Sequence, residues 1–323
     1  MKMLLCTDIR LGALCTENLD IRLSHKWQAA RTEKFAELMD LAARNHVAYI
    51  ALFGSLFGRK RVSESVIDTL FAAVKEEKHI QVLTFLSAEE YNRINYRNDV
   101  PENLHLICTQ TADSYTDDSI ALRINKHSAE IQLADNDPVC IRKAVAGSYV
   151  LSLPAGQQTI PSFEPIGFED AEGLFWGYGI LDWSETQIGP YSLVKNQKYA
   201  FQAMDLKILP SDGPRGILRK INTATKNVAV DTFLRITLVG RSAFGITLNG
   251  DALKTQLQSR IFFAEVYDNT LMDVDEDAFE NDISLRSEFV RLALQDDSLS
   301  ESERNRLICC GWNVLNGKEV SAE

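Results

Sequence analysis

A few side chains in the first sixty residues have the chemistry for metal binding or nucleophilic attack. Asp8 follows the apolar run from Met3 to Cys6, and carboxylate oxygens are the ligands that hard divalent cations prefer. One carboxylate alone binds such a cation poorly, and Arg10 is close enough in sequence to form an ion pair with Asp8. Ser55 and Cys6 carry a hydroxyl and a thiol, but the sequence places no histidine to activate either group. Structural roles are therefore favoured for Ser55 and Cys6, and ion pairing is favoured for Asp8.

Three consecutive cations, Arg59, Lys60 and Arg61, follow the next apolar run. They could contact phosphate, although a run of like charges is more often a solvated surface. Together with Arg10 they leave open the hypothesis that the chain binds nucleic acid without cleaving it.

The elements that must position these residues alternate between strand and helix. The short run from Met3 to Cys6 and the continuous apolar run 47–53 have the length and composition of buried parallel strands. Apolar residues between them recur at helical spacing. Ser63 is a plausible N-cap for a second helix, and the run 80–86 supplies a third strand. The predicted order is βαβαβ.

From about residue 103 the apolar residues alternate with a period of two, which is typical of strands. Further strands at 149–153 and near 174–180 suggest a second sheet packed against the first. The stretch 209–216 contains two prolines and two glycines and predicts a domain boundary. Beyond it the pattern indicates a small α+β module and two C-terminal helices, the second opened by a capping box of Ser300 and Glu303.

Composition limits the classes of function. The chain has 323 residues, 45% hydrophobic and 24% charged, which is typical of about two globular domains. Its net charge of −11 argues against nonspecific coating of nucleic acid. The first apolar run is too short for a signal peptide, and no segment has the length of a membrane span. Six cysteines without a CxxC pair favour reduced thiols, so we expect a cytoplasmic protein with no membrane association.

The residues 3–12, the helix containing Arg31, Thr32 and Glu33, and the segment 51–59 resemble the opening of the calcineurin-like metallophosphoesterases. Within this family they are most similar to DNA-repair exonucleases typified by the D subunit of the bacterial SbcCD nuclease and by the YhaO proteins. The segment 282–291 is similar to part of the YhaO type. The resemblance implies a four-layer α/β/β/α sandwich over residues 1–209, then an α+β capping module and a helical tail over 217–323.

The family's chemistry is phosphodiester hydrolysis by two metal ions held at strand ends. The resemblance places Arg10 where the family has a metal-binding histidine, and Ser55 and Gly58 where it has carboxylates. An arginine cannot ligate a metal. The family's third motif, which includes a catalytic histidine, aligns with Ser87, Ala88 and Glu89. No histidine lies beyond residue 127, so the family's later histidine ligands are absent from the chain. Asp8 is the sole ligand position that survives.

The resemblance therefore implies a catalytically silent relative that serves as a binding or scaffold subunit of a DNA-repair complex. The implied partner is an SbcC-like or AAA-type ATPase, with a homodimer also possible and DNA binding left open. No cofactor is expected. The alternative is an active DNA exonuclease or phosphodiesterase with a rebuilt site, which would use Mn²⁺ or Mg²⁺.

Overall fold

The computed structural model describes residues 1–58, 62–111, 114–125, 128–133, 136, 138–143, 149–171, 176–195, 198–244, 250–274, 279 and 282–315. The chain divides into two compact units, Met1–Lys198 and Tyr199–Glu323. No described helix is long and apolar enough to cross a membrane.

The N-terminal unit contains two six-stranded sheets and four helices among its described residues. Its strands are β1 (Lys2–Thr7), β2 (Tyr49–Phe53), β3 (Gln81–Leu86), β4 (Leu104–Cys108), β5 (Ser114–Thr116), β6 (Ile120–Asn125), β7 (Ser128–Leu133), β8 (Val139–Lys143), β9 (Tyr149–Leu153), β10 (Gly156–Ile160), β11 (Gly177–Trp183) and β12 (Ile188–Lys195). Its helices are α1 (Ile21–Arg44), α2 (Glu64–Glu76), α3 (Ala88–Ile94) and α4 (Phe168–Ala171).

The first sheet has the order β12-β11-β1-β2-β3-β4. Strands β1 to β4 are parallel, and the predicted βαβαβ order is confirmed for the strands 2–7, 49–53 and 81–86. Ser63 is the N-cap residue of α2, as predicted. One face of this sheet packs against α1 and α2, where Phe35, Leu38 and Phe71 are buried. Nearly every residue of β1 and β2 is buried because both faces of the sheet are covered.

The second sheet is antiparallel, with the order β10-β9-β8-β7-β6-β5. Its alternating apolar residues, including Leu122, Ile131 and Ile141, share a core with Met3 and Leu5 of the first sheet. The expected strand near 174–180 does not join this sheet. It is β11, which pairs antiparallel with β1 through partners such as Leu4 and Ile180. The N-terminal unit is therefore mixed α/β, with helices on one sheet and the two sheets face to face.

The C-terminal unit contains β13 (Ala200–Ile208), α5 (Pro214–Ala224), β14 (Thr232–Ala243), α6 (Gly250–Gln258), β15 (Phe263–Asp273), α7 (Leu285–Leu294) and α8 (Glu301–Leu315). The three strands form a parallel sheet in the order β13-β14-β15. The stretch after residue 208, predicted to be a domain boundary, instead connects β13 to α5 within this unit, because β13 pairs along its length with β14. The unit division lies earlier in the chain, between Lys198 and Tyr199.

Both predicted C-terminal helices are present. Ser300 and Glu303 form the predicted capping box, in which the Glu303 N–H donates to Ser300 Oγ at 3.3 Å and the Ser300 N–H donates to Glu303 Oε2 at 2.9 Å. Val290 and Ile308 pack with Met272 of β15 in a small core of their own.

Candidate functional site

The four parallel strands of the first sheet end beside a cavity of about 480 Å³. Each strand is followed at once by a residue that lines it, as expected where parallel strands share one carboxyl edge. These four residues are Asp8 after β1, Gly54 after β2, Ser87 after β3 and Thr109 after β4. The other lining residues are Ser55, Gly58, Phe85, Glu89, Glu90, Arg93, Lys143 and Tyr149.

The loop after β1 holds Asp8 in an unusual conformation. Asp8 and Arg10 have φ of 51° and 52°, a left-handed conformation that costs energy for residues other than glycine. The loop persists because it pairs with the loop after β2. The Asp8 N–H donates to the Phe53 carbonyl at 2.9 Å, and the Arg10 N–H donates to the Ser55 carbonyl at 3.1 Å. Two backbone loops are thus fixed against each other at the cavity.

A fully buried arginine on α1 supports the same loop. Arg31 Nη2 donates to the Ile9 carbonyl at 2.7 Å, and its Nε donates to the Arg10 carbonyl at 3.3 Å. Its Nη1 donates to the Pro165 carbonyl at 3.2 Å and lies 4.0 Å from the buried carboxylate of Glu164. Burial raises the pKa of Glu164, and the Arg31 charge opposes that rise. Arg31 therefore connects the core of the unit to the wall of the cavity.

Ser55 connects two of the carboxylates that line the cavity, Asp8 and Glu90. Its backbone N–H donates to Asp8 Oδ1 at 3.0 Å, and its hydroxyl donates to Glu90 Oε1 at 2.9 Å. Glu90 is only 8% exposed and also accepts from the Phe57 N–H at 3.1 Å. Arg10 Nε lies 3.9 Å from Asp8 Oδ1, so the ion pair favoured by the sequence is present. The carboxylates at this site are held by donors of the protein itself.

Glu90 is a site residue that the sequence did not reveal. The resemblance named the preceding segment Ser87, Ala88 and Glu89, but the turn of α3 directs Glu90 into the protein. Ser87 caps this helix by accepting from the Glu90 N–H at 3.3 Å. Glu89 lines the cavity from a more exposed position, where it pairs with Arg93 at 2.6 Å. Ala88 begins α3 and is not among the lining residues.

The second sheet adds two further residues that no sequence pattern placed here. Tyr149 begins β9 and Lys143 ends β8, and the Lys143 Nζ lies 5.9 Å from the centre of the Tyr149 ring. Burial raises the pKa of the Tyr149 hydroxyl, and the negative charge of Asp8 raises it further. The backbone of Gly54 opposes part of this rise in the Tyr149 pKa. Tyr149 therefore reaches across from the second sheet to the loop that contains Asp8.

The remaining residues singled out from the sequence have different surroundings. Ser55 and Gly58 line the cavity, whereas Arg59, Lys60 and Arg61 fall outside the described residues. Cys6 is completely buried, and burial followed by the Asp8 charge raises the pKa of its thiol well above the usual value. A protonated, inaccessible thiol is a poor nucleophile.

The donor set does not fit a two-metal centre. Within the part of the chain that the structure describes, no group of three or more His, Cys, Asp or Glu side chains is arranged to hold a metal ion. Two such ions need many anionic or imidazole ligands, and here an arginine and a serine contact Asp8. The cavity instead combines carboxylates, cations and hydroxyls, which suits a polar ligand carrying both kinds of charge. The chain matches no model of a known protein family and no curated protein.

Proposed function

We propose that this chain is a metallophosphoesterase-like protein that has lost two-metal hydrolysis and acts as a binding or scaffold subunit, resembling the D subunit of the SbcCD nuclease. The observation that carries the proposal is the pair of hydrogen bonds from Ser55. Ser55 stands where the resembling family has a metal-bridging carboxylate, and here its backbone N–H and its hydroxyl join Asp8 to Glu90 by hydrogen bonds.

The layers of the N-terminal unit support this proposal. Helices cover one face of the first sheet and the second sheet covers the other, which accounts for three layers of an α/β/β/α sandwich. The fourth layer, helices on the outer face of the second sheet, belongs to the proposal. The cavity lies at the carboxyl edge of β1 to β4, where the resembling family has its catalytic cleft.

Hydrolysis can be tested directly. We expect the purified chain, supplied with Mn²⁺ or Mg²⁺, to cleave bis-p-nitrophenyl phosphate and linear duplex DNA no faster than an Asp8→Ala variant. Turnover that disappears in this variant would favour the alternative of an active nuclease with a rebuilt site. Asp8, Glu89 and Glu90 would then be its candidate ligands, since all three line the same cavity.

Metal binding provides a second readout. Affinity for a divalent cation grows with the number and charge of its ligands, so we expect no saturable Mn²⁺ binding below about 1 mM in calorimetry. The variant Arg10→His with Ser55→Asp replaces a guanidinium and a hydroxyl by an imidazole and a carboxylate, which are both metal ligands. We expect it to bind Mn²⁺ at least about tenfold more tightly. If wild type and the double variant gave the same Mn²⁺ titration curve, the proposal that this cavity derives from a metal-binding cleft would be contradicted.

The proposed scaffold role requires a partner, and the resemblance points to a cytoplasmic SbcC-like or AAA-type ATPase, with a second copy of the chain as the other candidate. Affinity purification of the full chain from its native cell should recover an ATPase in a stoichiometric amount. A chain that purifies alone and remains monomeric at high concentration would contradict the scaffold role without restoring catalysis.

A further inference from the structure

Helix α5 presents a line of cations to solvent. Arg215, Arg219 and Asn222 lie on α5 at the spacing i, i+4 and i+7, which places them on one face, and Lys226 follows in the turn just after the helix ends at Ala224. All four are exposed. Together with Leu218 and Thr223 they line a shallow depression of about 530 Å³. We call this surface the α5 face.

The charges of the α5 face have no salt-bridge partner among the described residues, although the charge of Arg219 adds to the larger effect of Lys220 in lowering the pKa of Asp212. Arg215, Arg219 and Lys226 form no ion pair with any residue that the structure describes, whereas Arg97 pairs with three carboxylates at once. The segment 213–230 contains four cations and no Asp or Glu. Such a segment is unusual in a chain whose net charge is −11.

The opposite side of α5 fixes this surface in place. Ile217 and Ile221 are buried in the core of the C-terminal unit. At the end of the helix, the Thr225 hydroxyl donates to the Ile221 carbonyl at 2.8 Å, and Arg260 donates to the Thr225 carbonyl at 3.1 Å. The cations therefore project from a rigid support, which lowers the entropy cost of binding through them.

We infer that the α5 face docks an acidic amphipathic helix of a protein partner. Arginine guanidinium groups match carboxylates in paired, bidentate hydrogen bonds, and two of the three cations are arginines. Leu218 lies half-buried within the cationic line and offers an apolar contact, which the phosphodiester backbone of a nucleic acid would not use. A partner helix of about three turns matches the length of α5, which has 11 residues, whereas a nucleic acid would extend beyond the α5 face over a protein of net negative charge.

The test uses the full chain and a fluorescein-labelled peptide of about 18 residues, in which glutamates spaced i, i+4 and i+11 flank one leucine. Fluorescence polarisation should give saturable binding with a dissociation constant on the order of 10 μM that weakens as salt is raised. The variant Arg215→Glu with Arg219→Glu should bind at least about tenfold more weakly.

The matched control is Arg22→Glu with Lys26→Glu. This change reverses another exposed i, i+4 pair, on α1 in the other unit, by the same total charge. We expect it to leave peptide affinity within about twofold, since long-range charge is largely screened in physiological salt. Circular dichroism of both variants verifies that each remains folded.

Three results would overturn the inference. The first is equal binding of the peptide by the two charge-reversal variants. The second is equal binding of a scrambled peptide of the same composition, which would indicate attraction by charge alone. The third is tighter binding of a duplex or single-stranded oligonucleotide that is lost in the Arg215, Arg219 variant, which would assign the α5 face to nucleic acid. None of these results depends on whether the cavity of the N-terminal unit hydrolyses phosphodiesters.

Discussion

The guanidinium of Arg31, with no exposed surface, donates to the carbonyl of Ile9 at 2.7 Å and thereby fixes the residue that separates Asp8 from Arg10. In the sequence Arg31 lies on α1, 21 residues after Arg10. The arginine nevertheless adds to the backbone pairing that holds this loop, because its donors reach the carbonyls of Ile9 and Arg10. The cavity wall thus depends on a side chain that does not line it.

The first prediction concerns this arginine. Arg31→Met removes three hydrogen bonds and leaves the Glu164 carboxylate buried without its cation, so it should lower the free energy of unfolding by about 3 to 5 kcal/mol. Urea denaturation measures the loss. Adding Glu164→Gln to Arg31→Met should recover part of it, and a double variant no more stable than the single one would mean that the ion pair contributes little.

A pH dependence follows for the same variant. Burial raises the pKa of Glu164 in the folded protein above its value in the unfolded chain, and loss of the Arg31 charge should raise it further. A carboxyl with a raised folded pKa destabilises the fold at pH above that pKa, and the penalty is relieved as the pH falls and the group binds a proton. The difference in stability between wild type and Arg31→Met should therefore be smaller at pH 5 than at pH 8. An equal difference at both pH values would contradict this account of Glu164.

The second prediction concerns Tyr149 and Asp8. The hydroxyl of Tyr149 has a raised pKa because it is buried and lies near the Asp8 charge. Asp8→Asn removes that charge but not the burial, so the pKa of Tyr149 should fall and still remain above its usual value. Titration followed by NMR of ¹³C-labelled tyrosine measures both values. Tyr115, whose pKa is raised by burial and by its hydrogen bond to Asp117, serves as the internal control and should not change.

The third prediction concerns Gly54. It has φ of +76°, and a Cβ at this position would come within 2.6 Å of Asp8 Oδ1. Gly54→Ala should therefore cost about 2 to 4 kcal/mol of stability in chemical denaturation. Gly156→Ala is the matched control, because Gly156 has φ of +126° but a Cβ there would have no atom within 4 Å. The control should cost less, and adding Asp8→Ala to Gly54→Ala should restore part of the stability if the collision is the cause.

Strands β1 to β3 of the first sheet and the helices between them were predicted correctly because each is marked by residues within its own short segment. The run 47–53 is long enough for one strand and continuously apolar, and the N-cap serines mark where α2 and α8 begin. Strand pairing is not local, and this is why β11 was assigned to the wrong sheet. For the same reason no local pattern indicated that β13 pairs with β14 in the C-terminal unit.

The candidate site was predictable only where it follows strand ends. Asp8, Ser55 and Ser87 each come directly after or close to a predicted strand, and all three line the cavity. Glu90 was missed because helical phase decides whether it or Glu89 turns inward. Tyr149 and Lys143 were missed because they arrive from the second sheet, whose packing on the first is a tertiary property.

The last prediction concerns the exposed face of α7, which is a candidate partner surface for the proposed scaffold because it presents large apolar side chains to solvent. Leu285 and Leu292, spaced i and i+7, are 73% and 60% exposed, whereas Val290 is buried against Met272. Deleting residues 284–323 would also remove that packing, so a deletion cannot separate a partner surface from the core.

The double variant Leu285→Glu with Leu292→Glu should leave the free energy of unfolding within about 0.5 kcal/mol of wild type and abolish co-purification of the proposed ATPase partner. Val290→Ala should instead cost about 1 to 3 kcal/mol, because it opens a cavity in the core. Retained co-purification in the double leucine variant would place the partner surface elsewhere, and a large loss of stability would show that this face is packed in the folded protein.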